Sequence, residues 1–242
     1  MNILLTGSDG FIGRHLHNFL KTNHKVICID KETGNDLLSC DLKYSVDLVI
    51  HLAGLSGVRD SLGRPEEYWI QNVIAGQRLF DFFKDTRILY ASSSTAHEPW
   101  KNPYAMSKYG LERIAPANSM GMRFTTVYGP NARETMLIPR ILRNDVPYIN
   151  TNHSRDFIHV DDLVRAIDTL MKSNLRGVTD IGSGTTNNLV EIIEYFGIDC
   201  ERVVGEQSER LDNLADNTLL NKIGWSPKIN LYDYIKENRN DN

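Results

Sequence analysis

The first thirty residues constrain this chain more than any other stretch. An apolar run, Ile3 to Leu5, reads as a buried strand, and Gly7, Gly10 and Gly13 follow at G-x-x-G-x-x-G spacing. Ile12, Leu16, Phe19 and Leu20 then fall on one face of a helix, and a second apolar strand runs from Lys25 to Asp30. Strand, glycine turn, helix and strand in this order are the setting in which a glycine turn holds a dinucleotide. Gly7 permits the tight turn. Gly10 has no Cβ, so the backbone can approach a pyrophosphate, and Gly13 lets the helix pack closely on the sheet. Free N–H groups at the helix start attract the phosphates. Asp30 can accept hydrogen bonds from both hydroxyls of an adenosine ribose, and its charge would repel a 2′-phosphate, so NAD is expected rather than NADP. Without the flanking strands and the acid, the same glycines could be a turn that binds nothing.

Composition narrows the class. The chain has 242 residues, 41% of them apolar and 24% charged, which suits one large domain or a large and a small one. A net charge of −4 gives no footprint for nucleic acid. The longest apolar runs are of strand length, so no membrane span is expected, and Met1 leads directly into the first strand without a signal peptide. Cys28, Cys40 and Cys200 show neither zinc nor redox spacing and suggest a reducing, cytoplasmic setting. The polar end, Lys236 to Asn242, is expected to fray.

Strand candidates fall near 2–6, 25–30, 37–40, 47–53, 87–92, 122–128 and 178–181. Helical patterns fall near 11–22, 65–84, 103–115, 134–143, 160–173, 187–196 and 215–223. This alternation predicts an α/β fold: a Rossmann-like, doubly wound parallel sheet covered on both faces, with a small mixed C-terminal lobe. One connection conflicts with it. Only about six residues separate 37–40 from the next strand, and a parallel crossover needs about ten or more. Either that crossover is a bare loop or 37–40 is not a full strand. The expected division is 1–130 plus about 156–182 for NAD, and about 131–155 plus 183–242 for a substrate, with the cleft at the carboxyl ends of the strands.

A second constellation follows the strand that ends in Ser92-Ser93-Ser94. Tyr104 and Lys108 open the next helix at i and i+4, on one face. At about 5 Å and an effective dielectric of about 20, an ammonium stabilises a phenolate by roughly 3 kcal/mol, or roughly two pKa units. Tyr104 is thereby expected to titrate closer to working pH, as a general base. A strand-end serine can hydrogen-bond the same substrate oxygen.

With these motifs the chain resembles an extended short-chain dehydrogenase/reductase, in the nucleotide-sugar epimerase/dehydratase family. The resemblance runs nearly end to end: Thr6-Gly-Ser-Asp-Gly-Phe-Ile-Gly13, His51-Leu-Ala-Gly54, Tyr90-Ala-Ser-Ser-Ser94, Tyr104-Ala-Met-Ser-Lys108, Arg123-Phe-Thr-Thr-Val-Tyr-Gly-Pro130, Arg155-Asp-Phe-Ile-His-Val-Asp-Asp162 and Ile223-Gly-Trp-Ser-Pro227. It implies Ser93, Tyr104 and Lys108 as the catalytic set. It also implies NAD contacts from Gly7, Asp9, Gly10, Phe11, Ile12, Gly13, Asp30, Asp41, Leu42, Leu52 and Ala53, together with Tyr104 and Lys108. Gly57-Val-Arg-Asp-Ser61, Pro65, Tyr68, Asn72 and Gly76 are most similar to uronate 4-epimerases. There Thr126 and Arg133 would face the C5 substituent of the sugar, and Arg133 could pair with a carboxylate; otherwise it is a solvated loop cation. Arg155 and Arg210 match positions that hold the nucleotide diphosphate, and Ser94 joins the substrate side. Arg59 and Asn72 can be substrate contacts or structural.

The implied activity is NAD-dependent epimerisation at C4 of a nucleotide sugar, a UDP-hexose or UDP-uronate, through a transient 4-keto sugar. A decarboxylase, an NADH-consuming reductase and a non-catalytic NAD sensor are the alternatives. No carboxylate follows Ser93 until Glu98, which disfavours dehydration, and the cysteines are badly placed for further epimerisation. Three features depart from the family pattern. His97 stands where a tyrosine is usual and reads as a loop histidine. Ser93 and Tyr104 are only eleven residues apart. Pro116 ends the Tyr104 helix early, so a homodimer through that helix and 65–84 would have a reduced interface.

Overall fold

The computed structural model describes residues 1–239. Its first half runs β1 (Asn2–Thr6), α1 (Phe11–Leu20), β2 (Lys25–Ile29), β3 (Leu48–His51), α2 (Val58–Gly63), α3 (Pro65–Trp69), α4 (Ala75–Phe82), β4 (Arg87–Ser93) and α5 (Pro103–Ile114). It continues through β5 (Ser119–Phe124), β6 (Thr126–Tyr128), α6 (Leu137–Leu142), β7 (Tyr148–Asn150), β8 (Ser154–His159), α7 (Val160–Met171) and β9 (Gly177–Ile181). The last elements are β10 (Thr186–Asn188), α8 (Leu189–Tyr195), β11 (Glu201–Val203), α9 (Thr218–Lys222) and α10 (Leu231–Asn238).

Six strands form one sheet in the order β2-β1-β3-β4-β5-β9, with every pairing parallel. Successive strand side chains point to opposite faces, and both faces are buried. Ile3, Leu5, Ile50, Leu89 and Met122 pack under α1 and α7 with Leu16, Leu20, Leu163 and Ile167. Leu4, Val49, Ile88 and Tyr90 pack under α4 and α5 with Leu79, Phe80 and Leu111. A three-stranded sheet, β10-β8-β6, and the pair β11-β7 lie outside it. They carry their own core of Tyr128, Ile138, Ile141, Phe157, Ile192 and Ile235.

Residues 37–40 are a turn, not a strand. Leu37 is buried in the core. The carbonyls of Leu37 and Cys40 accept from the Arg78 guanidinium at 2.5 and 2.7 Å instead of from a neighbouring strand. The connection between β2 and β3 is therefore long, the crossover conflict disappears, and β2 is one edge of the sheet, with β9 the other. The expected strand 122–128 divides into β5 and β6 in different sheets, with Thr125 between them donating its N–H to Ile181 O at 3.1 Å. The expected helix 65–84 is continuous but carries a π turn at Ile70–Ile74. Lys236–Asn238 are helical rather than frayed; residues 240–242 of that expectation lie outside the described residues. No described helix is long and apolar enough to cross a membrane.

Candidate active site

A cleft of about 840 Å³ opens at the carboxyl ends of β1, β3 and β4. Its floor begins at the glycine turn. Gly7 has φ +73°, and a Cβ there would stand 2.6 Å from Ala53 N. A Cβ on Gly13 would run into Gly7 O. At Gly10 the only near atom is Gly7 O, at 3.3 Å. Gly10 also begins α1 without a side-chain cap, which leaves the first N–H groups of the helix for an anion. This open cradle fits a dinucleotide pyrophosphate.

Of the expected cofactor residues, Gly7, Gly10, Phe11, Ile12, Gly13, Leu52, Tyr104 and Lys108 line the cleft. Asp9, Asp30, Asp41, Leu42 and Ala53 do not. Asp30 closes β2, and its two carboxylate oxygens accept from Asp9 N at 2.8 Å and Glu32 N at 3.0 Å. Each oxygen keeps lone pairs for a further donor. Asp41 is exposed and caps Lys43 N. Leu42 is 1% exposed in the core, so its side chain is closed to a ligand.

Ser93, Tyr104 and Lys108 meet in the same cleft. Helix α5 is started by Pro103 and by Asn102, whose side chain accepts from Ala105 N at 2.8 Å. The helix stops one residue short of Pro116, where Ala115 is already extended. Asn72, inside the π turn, is fully buried. It accepts from Leu55 N at 2.7 Å and donates to Leu55 O at 3.0 Å and Ser107 Oγ at 2.9 Å. Asn72 is thus a structural clamp between the loop after β3 and α5. Gly54 (φ +151°) is required there, since a Cβ would stand 2.7 Å from Asn72 Oδ1.

Electrostatics correct one expectation. The Tyr104 phenol is raised, not lowered, because burial costs the phenolate its hydration. The Ser93 hydroxyl and the Arg133 guanidinium oppose that rise and do not overcome it. Lys108 is 5% exposed and donates to Ala91 O at 3.1 Å. Burial pushes its ammonium down to about 8, with Glu112 pulling the other way. His51, fully enclosed beside Lys108, is pushed down to about 3 by burial first and that cation second. Ser93 Oγ accepts from Thr95 N at 3.2 Å and Thr95 Oγ1 at 2.9 Å, which leaves its own proton to give.

The opposite wall is polar. Ser94, Thr126, Arg133, Arg155 and Arg210 all line it. Arg210 donates to Glu98 Oε2 at 3.0 Å and Ser94 O at 2.5 Å. Arg155 reaches Glu209 Oε2 at 3.1 Å, and Arg59 reaches Glu209 Oε1 at 2.9 Å and also the Tyr148 hydroxyl. Glu209 therefore stands between two arginines, one from each side of the cleft. Among the described residues the Arg133 guanidinium has no hydrogen-bond or ion-pair partner. His97 bridges Asp180, at 2.8 Å, and Arg123, at 3.1 Å.

Sequence reasoning missed Glu209, Asn213 and Glu112. Asn213 donates to Thr126 Oγ1 at 3.1 Å across the wall, and no local pattern marks it or Glu209. Glu112 was findable, one helical turn beyond Lys108. No cysteine or histidine lines the cleft among the described residues, and its carboxylates there are Asp60 and Glu209.

The family model described as the NAD dependent epimerase/dehydratase family matches residues 3–182. A UDP-glucuronate 4-epimerase of Thermodesulfobacterium geofontis is 26% identical over 313 aligned positions, covering 98% of this chain and 94% of that protein. The alignment is longer than this chain, so that relative carries segments which this chain lacks. The solved structure of UDP-glucuronic acid 4-epimerase from Bacillus cereus, in complex with UDP-glucuronic acid and NAD, is similar with TM-score 0.84 at 26% identity. The match covers 98% of this chain and 99% of that one. TunA, an NAD dependent NDP-hexosamine 5,6-dehydratase involved in tunicamycin biosynthesis, is similar with TM-score 0.88 at 25% identity, over 98% of this chain and 96% of that one.

Proposed function

The chain belongs to the NAD dependent epimerase/dehydratase family, and from that premise we propose that it is a UDP-sugar 4-epimerase acting on a UDP-hexose or UDP-uronate. The observation that carries this reading is the make-up of one cleft. It joins the glycine turn, a serine–tyrosine–lysine set and four arginines, Arg59, Arg133, Arg155 and Arg210, and it puts no cysteine or histidine among its described lining. The carboxylate nearest in sequence after Ser93 is Glu98, which is paired with Arg210 and Lys101 and does not line the cleft. That leaves no acid beside Ser93 for removal of water, and so favours epimerisation over dehydration.

In this reading the six-stranded sheet serves the cofactor and the small sheets serve the substrate. Gly7, Gly10, Phe11, Ile12 and Gly13 hold the pyrophosphate, Asp30 the ribose, and Lys108 the nicotinamide side. When bound there, NAD supplies a hydride acceptor that is restored at each turnover and a positive charge that favours the phenolate. Tyr104 takes the proton from the sugar 4-hydroxyl, and Ser93 hydrogen-bonds the same oxygen. The resulting 4-keto sugar turns over in the cleft. Tyr104 returns the proton as C4 is reduced on its other face. Arg155 and Arg210 hold the diphosphate, for which Arg155 exchanges Glu209. Arg133 is left to read a carboxylate at C5. The exposed Trp69, Phe82, Met106 and Tyr109, on the 65–82 segment and α5, suit a homodimer with a reduced helical interface.

Proton NMR of UDP-glucuronate and UDP-glucose incubated with the protein and catalytic NAD tests the reading. New anomeric signals of the galacto isomer, without net NADH, are expected. Release of carbon dioxide, or stoichiometric consumption of NADH, would replace it with a decarboxylase or a reductase.

A further inference from the structure

Three consecutive residues at the end of β4 meet one face of α5. The Ser93 hydroxyl meets the Tyr104 phenol. Ala91 O accepts from Lys108 Nζ at 3.1 Å. The Ser92 hydroxyl donates to the Glu112 carboxylate. Tyr104, Lys108 and Glu112 are spaced i, i+4, i+8, so each takes its own turn of that face. Glu112 is itself clamped. Its side chain is 4% exposed, and Arg123 from β5 grips it bidentately, Nε to Oε1 at 2.8 Å and Nη2 to Oε2 at 2.7 Å. Arg123 is backed in turn by His97, and His97 by Asp180 of β9.

A buried ion pair is a costly way to hold a helix on a sheet, and apolar residues of similar volume commonly do it as well. What Glu112 adds is a fixed negative charge one turn from a buried ammonium. We infer that Glu112 is a positioning residue: docked on Ser92 and clamped by Arg123, it keeps Lys108 charged and sets Tyr104 against Ser93. Six other groups face the pair: Tyr104 on α5, Tyr90 from β4, Arg123 from β5, His97 from the turn after β4, Asp180 from β9 and His51 from β3. Burial disfavours the Lys108 charge, and Glu112 is the acid that opposes it.

The kinetic part of this inference rests on the 4-epimerase reading; the electrostatic part does not. Lys108 is therefore titrated directly, by the ¹³Cε shift of ¹³C-lysine-labelled protein, in the native chain and in Glu112→Gln. The glutamine keeps the shape and loses the charge. The Lys108 titration is expected to move to lower pH by about one unit or more, and an unmoved titration overturns the charge role. In epimerisation, kcat of Glu112→Gln is expected to fall about tenfold or more at neutral pH, with KM within about twofold. The alkaline limb of its pH profile should move with the titration.

Ser92→Ala is the second variant, and it retains the Glu112–Arg123 pair. Its kcat is expected to fall with KM and Tm nearly unchanged, while Lys108 titrates as in the native chain. A native kcat in Ser92→Ala overturns the positioning role, and this variant decides the matter if Glu112→Gln does not fold. A native chain that titrates as described but turns over no UDP-sugar would refute the epimerase reading and leave the Lys108 result standing.

Discussion

Three arginines line the substrate wall, and their surroundings set them apart. Arg155 and Arg210 are already engaged, with Glu209 and Glu98. The Arg133 guanidinium has no such partner among the described residues and acts on the Tyr68 and Tyr104 hydroxyls through space. If Arg133 reads a sugar carboxylate, its loss should be selective. Arg133→Gln is expected to raise KM for UDP-glucuronate about 10- to 100-fold, since a charge-assisted hydrogen bond is worth about 1.5–3 kcal/mol. KM for UDP-glucose should hardly move, and steady-state kinetics with both substrates checks this; equal losses would return Arg133 to a plain loop cation. Arg155, the serines and the Tyr104–Lys108 pair were legible in the chain because each sits in a local motif, whereas Arg133 and Arg210 were read from their place between motifs. The raised Tyr104 phenol was not. The pairwise Coulomb argument covers one neighbour, and the enclosure of the phenol by the fold dominates.

Helix α5 carries Tyr104, Lys108 and Glu112, so its starting point matters. Asn102 caps its first turn and also donates to Ser208 O at 2.9 Å, which ties the helix to the loop that holds Glu209 and Arg210. Asn102→Ala is expected to cost about 1 kcal/mol and to lower Tm by about 2–4 °C for a chain of this size. Differential scanning calorimetry measures it, and no change in Tm would mean that the cap is dispensable. Elements with a long apolar period, such as β1, α1, β4, α5 and α7, were readable within a few residues. Among those that were missed, strands β7, β10 and β11 have three residues each, too few for a period of two to show, while β8, with six residues, and α10, with eight, were missed despite their length. Residues 37–40 have the apolar content of a strand but spend their carbonyls on Arg78, a partner 38 or 41 positions away that no local window contains.

At the scale of the whole molecule, two sheet systems share one cleft, and the loops between them join across it. Arg59, from the first turn of α2, meets Glu209 from the far side, and Lys101 donates to Glu209 O at 3.0 Å. The parallel sheet covered on both faces followed from the alternation of strands and helices. The bridging followed from nothing local, because Arg59 and Glu209 are 150 positions apart. As a 4-epimerase, this cleft would remove hydrogen from C4 of a UDP-sugar and return it to the opposite face. The most direct test is UDP-glucuronate carrying deuterium at C4, incubated with the protein and catalytic NAD and followed by NMR. A galacto product that keeps its deuterium at C4 is expected, with no accumulation of NADH. Label lost to solvent, or label left in NADH that accumulates, would contradict it.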